Sequence, residues 1–144
     1  MLYSILLTLG LLILAHFIGD WSKFVPFHQK VVNAKVNKTN TSGNWIFLHS
    51  SIVSLYKIFA ILISSWIIPI GNMPGFLNTI WFYIILVVIF FGELITHFVF
   101  DISKWFLNNK YNLNPSKDIY WTVVGIDQML HYLVMLGMLY LLYC

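Results

Sequence analysis

Four pairs of a histidine and a carboxylate stand four positions apart in this chain. The pairs are His16 with Asp20, Glu93 with His97, His97 with Asp101, and Asp127 with His131. A random scatter of five histidines and five acidic residues over 144 positions would give only about 0.35 such pairs, so the spacing has a cause. In an α-helix this separation places both side chains on one face, where they can share a ligand. Imidazoles mixed with carboxylates suit Zn, Mn or Fe better than Mg or Ca.

The composition of the chain is that of an integral membrane protein. Sixty per cent of the residues are hydrophobic and 9% are charged, with a mean hydropathy of +0.82. About a quarter of the residues of a soluble domain are charged. We therefore expect extensive contact with membrane lipid, where each charged group costs at least ~2.5 kcal/mol and is a candidate for function. No pattern typical of nucleic-acid binding occurs, and one cysteine is too few for a cysteine-based metal site.

Four apolar runs are long enough to span a bilayer as helices. They cover residues of about 2–20, 45–70, 79–107 and 119–143, and each exceeds or approaches the ~20 residues that a span needs. The prediction is an all-α protein: a single transmembrane domain, folded as a four-helix bundle with up-down topology. Little of the chain is left for a separate soluble domain.

The lysines predict which side of the membrane each connection faces. Seven of the eight lysines lie in or beside the segments that follow spans one and three. By the positive-inside rule these segments are cytoplasmic and both termini are outside, in a multi-pass protein of the cell (inner or plasma) membrane. Segment 21–44 mixes aromatic residues with lysines, which predicts a cytoplasmic piece lying in the headgroup layer.

In this topology the ionisable residues of all four spans would meet on the cytoplasmic side. They lie late in spans one and three and early in spans two and four, at similar depth. The predicted metal ligands are His16, Asp20, His49, His97, Asp101, Asp127 and His131. Glu93 extends the series on span three as a further candidate, and four imidazoles with four carboxylates would suit a site for two divalent ions, in which some side chains position the others.

Three other ionisable residues have simpler interpretations. Lys57 and Glu93 fall at about the same depth, so their opposite charges would form a buried ion pair that stabilises the bundle. His28 lies in the interfacial segment, where a solvated histidine is the simplest interpretation. None of the three is included among the predicted ligands.

Two alternatives to a metal site remain open, namely helix packing and a metal-free path for protons or ions. Packing is disfavoured because interhelical hydrogen bonds in membranes average only ~0.6 kcal/mol, and Ser, Thr or Asn would form them at lower cost. A path across the membrane is disfavoured by the outer halves of the spans. These offer Thr8, Ser64 and Ser65 but no acid or histidine.

Four short motifs resemble those of a known family. They are H-F-I-G-D-W at 16–21, L-H-S at 48–50, H-F-V-F-D-I-S-K at 97–104 and I-D-Q-M-L-H at 126–131. They are similar to the HxxxD, LxxH, HxxxDxxK and DQxxH motifs of small polytopic bacterial and phage membrane proteins that form a domain-of-unknown-function family. The resemblance covers nearly the whole chain. It implies a site made of His16, Asp20, His49, His97, Asp101, Lys104, Asp127, Gln128 and His131. One departure is Phe24, where the family has a glutamine.

A metal site just below the cytoplasmic headgroups, with lysines beside it, is placed to meet an anionic group such as a phosphate. The sequence therefore favours a metal-dependent hydrolase or transferase that acts on a phosphorylated or lipid-linked substrate. Asp20 and Asp127 are the candidate catalytic acids and bases, and Lys104 would stabilise developing charge. The rival interpretations are a metal-ion or proton transporter or channel, and a non-enzymatic scaffold or sensor. Homo-oligomerisation is left open.

Overall fold

The computed structural model describes residues 2–21, 42–67 and 79–143. Within these ranges the chain forms four helices, α1 (Leu2–Trp21), α2 (Ser42–Ile67), α3 (Thr79–Lys110) and α4 (Asp118–Tyr143). All four are long and apolar enough to cross a membrane. The predicted all-α class with four spanning helices is confirmed. Helices suit these segments because hydrocarbon offers no partner to backbone N–H and C=O groups, which a helix satisfies within itself.

The helix bounds differ from the predicted spans at a few ends. The second helix begins at Ser42 instead of about 45, and the third continues to Lys110 instead of ending near 107. The predicted interfacial segment 21–44 lies almost wholly outside the described residues, and its two ends, Trp21 and residues 42–44, are helical. The direction in which each helix crosses the membrane stays a prediction, as does the side on which the termini lie.

Each helix packs against the next one in the chain, and α4 packs back against α1. The apolar core fills the half of the bundle away from the ionisable residues. It comprises Leu12, Ala15, Ala60, Ile61, Phe82, Leu86, Ile89, Met135, Met138, Leu139 and Leu142. The outward faces carry large apolar side chains, among them Leu14, Phe59 and Leu136, as expected where lipid takes the place of water.

A short connection, residues 111–117, joins α3 to α4. Asn112 takes a left-handed conformation, with a φ of 49°, which asparagine tolerates better than most residues. The N–H of Leu113 donates to the C=O of Asn108 over 2.8 Å, so the helix ends in a Schellman motif that satisfies its last carbonyl groups. Because the connection is short, α3 and α4 are neighbours, and Lys104 can reach across to Asp127.

Helices α1 and α2 lie close together at Gly19. A Cβ atom at this position would lie 2.7 Å from Cγ2 of Val53, which is too close for any ordinary contact. The missing side chain lets the last turn of α1 lie directly on α2. As a result Asp20, the next residue, reaches His49 across the interface, with 2.9 Å between Oδ1 and Nε2.

The opposite end of the bundle is joined by hydroxyl groups. Thr8 Oγ1 and the Tyr143 O–H share a hydrogen bond of 2.7 Å, and the Tyr143 hydroxyl also donates to the backbone C=O of Ser4 over 3.2 Å. These bonds connect the start of α1 to the end of α4. No charged group takes part in this contact.

Candidate metal centre

The four helices bring the seven predicted ligands into one buried group, which we call the histidine–aspartate cluster. Helix α1 contributes His16 and Asp20, α2 contributes His49, α3 contributes His97 and Asp101, and α4 contributes Asp127 and His131. On α1, α3 and α4 the spacing of four residues turns the paired side chains to one face. Each of the four histidines is at most 2% exposed. The cluster is therefore sealed from lipid and largely from water.

One part of the cluster surrounds the imidazole nitrogens of His49 and His97. His97 Nε2 lies 3.5 Å from Asp101 Oδ2 and 3.7 Å from Asp20 Oδ1. His49 Nε2 lies 3.6 Å from Asp101 Oδ2 and 2.9 Å from Asp20 Oδ1. Asp20, His49 and His97 each offer a donor atom within 4.8 Å of those of the other two. With Asp101, whose Oδ2 lies near both imidazoles, we call them the first ligand set. They come from α1, α2 and α3 and offer two nitrogen and two oxygen donors.

These distances are informative about what the first ligand set can hold. Three of the four exceed the ~2.7–3.2 Å of a normal N–H···O hydrogen bond. Two ligands that each lie about 2.1 Å from a tetrahedral ion are about 3.4 Å apart. The observed separations of 3.5, 3.6 and 3.7 Å are therefore close to those of donors arranged around one ion.

A second group of donors lies between α3 and α4, and we call Asp101, Asp127 and His131 the second ligand set. One donor atom from each lies within 4.8 Å of the other two. His131 Nε2 is 3.5 Å from Asp127 Oδ1, and within the described residues neither ring nitrogen of His131 has a hydrogen-bond partner. A buried imidazole without such partners is costly unless something else binds it.

Lys104 lies against the second ligand set. Its ammonium group forms an ion pair with Asp127 Oδ2 and lies 3.1 Å from Asp101 Oδ1. Asp101 therefore directs one oxygen to the imidazoles of the first ligand set and the other to this lysine. The side chain of Lys104 is 16% exposed, and with Asp20, at 9%, it is among the more accessible groups of the site.

His16 and Gln128 connect the two sets. A ring nitrogen of His16 lies within 4.8 Å of ring nitrogens of His97 and His131, which makes a third group of donors. The side-chain amide of Gln128 contacts His16 Nε2 through its oxygen at 3.3 Å. Its nitrogen contacts Asp20 Oδ2 at 3.4 Å and Asp127 Oδ2 at 3.3 Å. One neutral side chain of α4 thus touches a carboxylate on α1 and one on its own helix.

A buried ion pair lies beneath the cluster. Lys57 of α2 pairs with Glu93 of α3, and both side chains are at most 1% exposed. The pairing predicted from their depth is confirmed. Glu93 Oε1 also lies 3.4 Å from Nδ1 of His97, on the side of the ring opposite the first ligand set. A carboxylate in this position can fix the orientation of a ligating histidine.

The structure gathers all seven predicted ligands and Lys104, while their roles as ligands and catalytic groups stay predictions. Gln128 was not found by reasoning from residue types, because a single amide carries no distinctive spacing, and only the family resemblance pointed to it. His28 and Phe24 lie outside the described residues.

Comparison with known proteins identifies a family. A family model described as "Protein of unknown function (DUF3307)" matches residues 7–144. No curated protein and no solved structure matches the chain.

Proposed function

The chain belongs to the DUF3307 family, and from its histidine–aspartate cluster we propose that it is a membrane protein that binds a divalent metal ion. The observation that carries the proposal is the set of imidazole-to-carboxylate separations around His49 and His97. These three separations are longer than normal hydrogen bonds and close to those of donors around one ion, whereas His49 Nε2 and Asp20 Oδ1 are within hydrogen-bond distance, at 2.9 Å. The first ligand set, Asp20, His49, His97 and Asp101, would hold this ion.

The donor types favour Zn, Mn or Fe. Imidazole nitrogen suits these metals, whereas Mg and Ca prefer sites made of oxygen alone. The first ligand set mixes two nitrogens with two oxygens, and no cysteine occurs among the described residues. Glu93 would support the site electrostatically, since its Oε1 lies 3.4 Å from Nδ1 of His97 and favours the ring orientation that leaves Nε2 to bind the ion.

We further propose that the centre catalyses hydrolysis or transfer at a phosphorylated or lipid-linked substrate. A divalent ion supplies an activated water and polarises a phosphoryl oxygen. Asp127 lies outside the first ligand set and is the candidate to accept a proton from the attacking water.

Lys104 is placed to bind the phosphate itself. An ammonium group has three donors, and the contacts with Asp101 and Asp127 use two of those on Lys104. The third donor can bind an oxygen of the phosphate.

The position of the centre fits a substrate that arrives from the membrane surface. The ligands lie in the last turns of α1 and the early turns of α2. The exposed Lys110 at the end of α3 and the exposed Lys117 in the connection to α4 lie on the same end of the bundle. We propose that this is the cytoplasmic end, as the positive-inside rule predicts from the lysine distribution. A lipid phosphate in the inner leaflet would therefore meet the centre at the depth of its headgroup.

Metal content tests the first part of the proposal. The protein and its variants are purified in detergent, loaded with Zn or Mn, dialysed and measured by elemental analysis. H97A and D20N each remove a donor of the first ligand set and are expected to weaken binding by more than ~100-fold. D118N is the matched control, since Asp118 is exposed at the start of α4, and it should bind like the wild type. Wild-type protein without bound metal would refute the proposal.

Phosphate release tests the second part. Metal-loaded protein in vesicles that contain phosphatidic acid is expected to release inorganic phosphate, and D127N should lower the rate by ~100-fold or more. If the protein bound metal fully but released no phosphate from lipid or from soluble phosphomonoesters, the proposed catalysis would be refuted and only metal binding would be retained.

Transport is the rival function, and the other end of the bundle argues against it. Among the described residues there, the buried polar groups are hydroxyls such as those of Ser4, Thr8 and Ser64. An ion path across the membrane would need stronger ligands in that half. Metal flux into liposomes through the wild type and not through H97A would favour transport over catalysis.

A further inference from the structure

The position of Lys104 is unusual for a residue beside a metal centre. Its ammonium group touches one oxygen of Asp101 and one of Asp127, two of the three members of the second ligand set. The ammonium group of Lys104 therefore already binds the carboxylate oxygens that a second metal ion would need as ligands. Lys104 comes from α3, three residues after Asp101, so the same helix supplies a ligand and the group that covers it.

The charges in and against the cluster can be counted for the residues that the structure describes. The carboxylates are Asp20, Glu93, Asp101 and Asp127, and the ammonium groups are Lys57 and Lys104. With neutral imidazoles this leaves two negative charges, which one divalent ion would neutralise. A second divalent ion would leave two uncompensated positive charges in a site sealed from water, at high cost in free energy.

We propose that Lys104 is a built-in counter-cation that keeps the centre mononuclear. The ion binds at the first ligand set, and the ammonium of Lys104 takes the place of a second ion at Asp101, Asp127 and His131. This inference rests on the proposed metal binding and goes beyond it by assigning different occupants to the two ligand sets. Beyond its proposed contact with the phosphate, Lys104 thereby determines how many ions the centre holds.

The two oxygens of Asp101 are consistent with this division. Oδ2 lies 3.6 Å from His49 Nε2 and 3.5 Å from His97 Nε2, whereas Oδ1 lies 3.1 Å from Lys104 Nζ. A carboxylate that bridges two metal ions would use the same two oxygens. In this centre the second oxygen is bound to an ammonium group instead.

Counting ions per chain tests the proposal. The wild type, loaded with excess Mn or Zn and then dialysed, should hold about one ion per chain, because one divalent charge balances the cluster. K104M removes the ammonium group and should raise the count to about two, while K104R keeps a positive charge and should hold about one. K110M is the matched control and should hold about one, since Lys110 lies exposed on the same helix, over the ring of Tyr111.

A pair of aspartate variants provides an independent measurement, which decides the matter if K104M does not fold. D127N alters only the second ligand set and should retain the single ion, whereas D20N alters the first set and should lose it. The proposal would be overturned if D127N and D20N lost the same amount of metal. It would also be overturned if the wild type bound about two ions per chain, or if folded K104M bound about one. Absence of metal from every protein would instead refute the proposed metal binding itself.

Discussion

The two ends of the bundle hold the same helices together with different chemistry. At one end, α1 and α4 are joined by neutral hydroxyl groups, with Thr8 bound to Tyr143. At the other end the same two helices meet through His16, Asp20, Gln128 and His131, within a buried group of imidazoles and carboxylates. Both ends are contacts between α1 and α4 in a membrane protein, so the hydroxyl end serves as an internal reference.

The packing of α1 against α4 therefore does not require the histidine–aspartate cluster. Hydroxyl groups already join α1 and α4 at one end, at little cost in desolvation. Three buried carboxylates and one buried ammonium group, with Asp20 and Lys104 only partly exposed beside them, are far more expensive to place in a membrane. The proposed metal binding accounts for this cost, and variants at the two ends should therefore differ in what they change.

The largest effect on stability is expected at the ion pair of Lys57 with Glu93, which lies between the cluster and the apolar core. K57M leaves Glu93 charged and unpaired in the interior, which should lower the free energy of unfolding by ~3–5 kcal/mol. The double variant K57M/E93L removes both charges and should recover most of this loss. The unfolding free energies of both variants can be measured in detergent micelles, with loss of helix content as the signal. Equal destabilisation by the single and double variants would contradict the importance of the charge pairing.

The same double variant should separate stability from metal binding. It no longer has the carboxylate that faces Nδ1 of His97, so its metal affinity should fall ~10–100-fold although its fold is retained. Competition with a fluorescent chelator gives the affinity. If K57M/E93L bound metal as tightly as the wild type, Glu93 would have no role beyond its pairing with Lys57.

An intermediate effect is expected at the close contact of α1 with α2. G19A places a Cβ atom against Val53 and should destabilise the protein by ~1–3 kcal/mol through overpacking. It should also weaken metal binding, since Asp20 would move away from His49. G10A is the control on the same helix, because a Cβ atom there meets nothing within 4 Å. Equal effects of the two alanines on stability would show that the close contact does not matter.

The smallest effect is expected at the hydroxyl end. Y143F removes the hydrogen bonds to Thr8 and Ser4 and should cost ~0.6 kcal/mol in unfolding free energy. Its metal content should equal that of the wild type. If Y143F bound less metal than the wild type, the two ends would be coupled, and the hydroxyl end could not serve as an independent reference.

The spanning helices were predictable because apolar length alone defines them in a membrane. The grouping of the ligands was also predictable, since a spacing of four residues in a helix fixes a shared face, as for Asp127 and His131. Depth in the span was enough to pair Lys57 with Glu93, which the structure confirms.

Other features depend on geometry that sequence spacing does not encode. The rotation of each helix about its axis decides that Asp101 turns one oxygen to the imidazoles and the other to Lys104. The contact of Gln128 with Asp20 depends on how α4 is seated against α1. The end of α3 at Lys110 instead of about 107 arises from a Schellman motif at Asn112, whose left-handed conformation has only a weak sequence signal.

The near-complete enclosure of His49, His97 and His131, each at most 1% exposed, has a consequence for handling the protein. An ion held there would have to enter and leave past Asp20 and Lys104, which are only 9% and 16% exposed. Exchange would therefore be slow, and metal loading or competition with a chelator needs long equilibration. The element recovered with the purified protein would then record the supply during biosynthesis, so the choice of growth medium is itself an experimental variable.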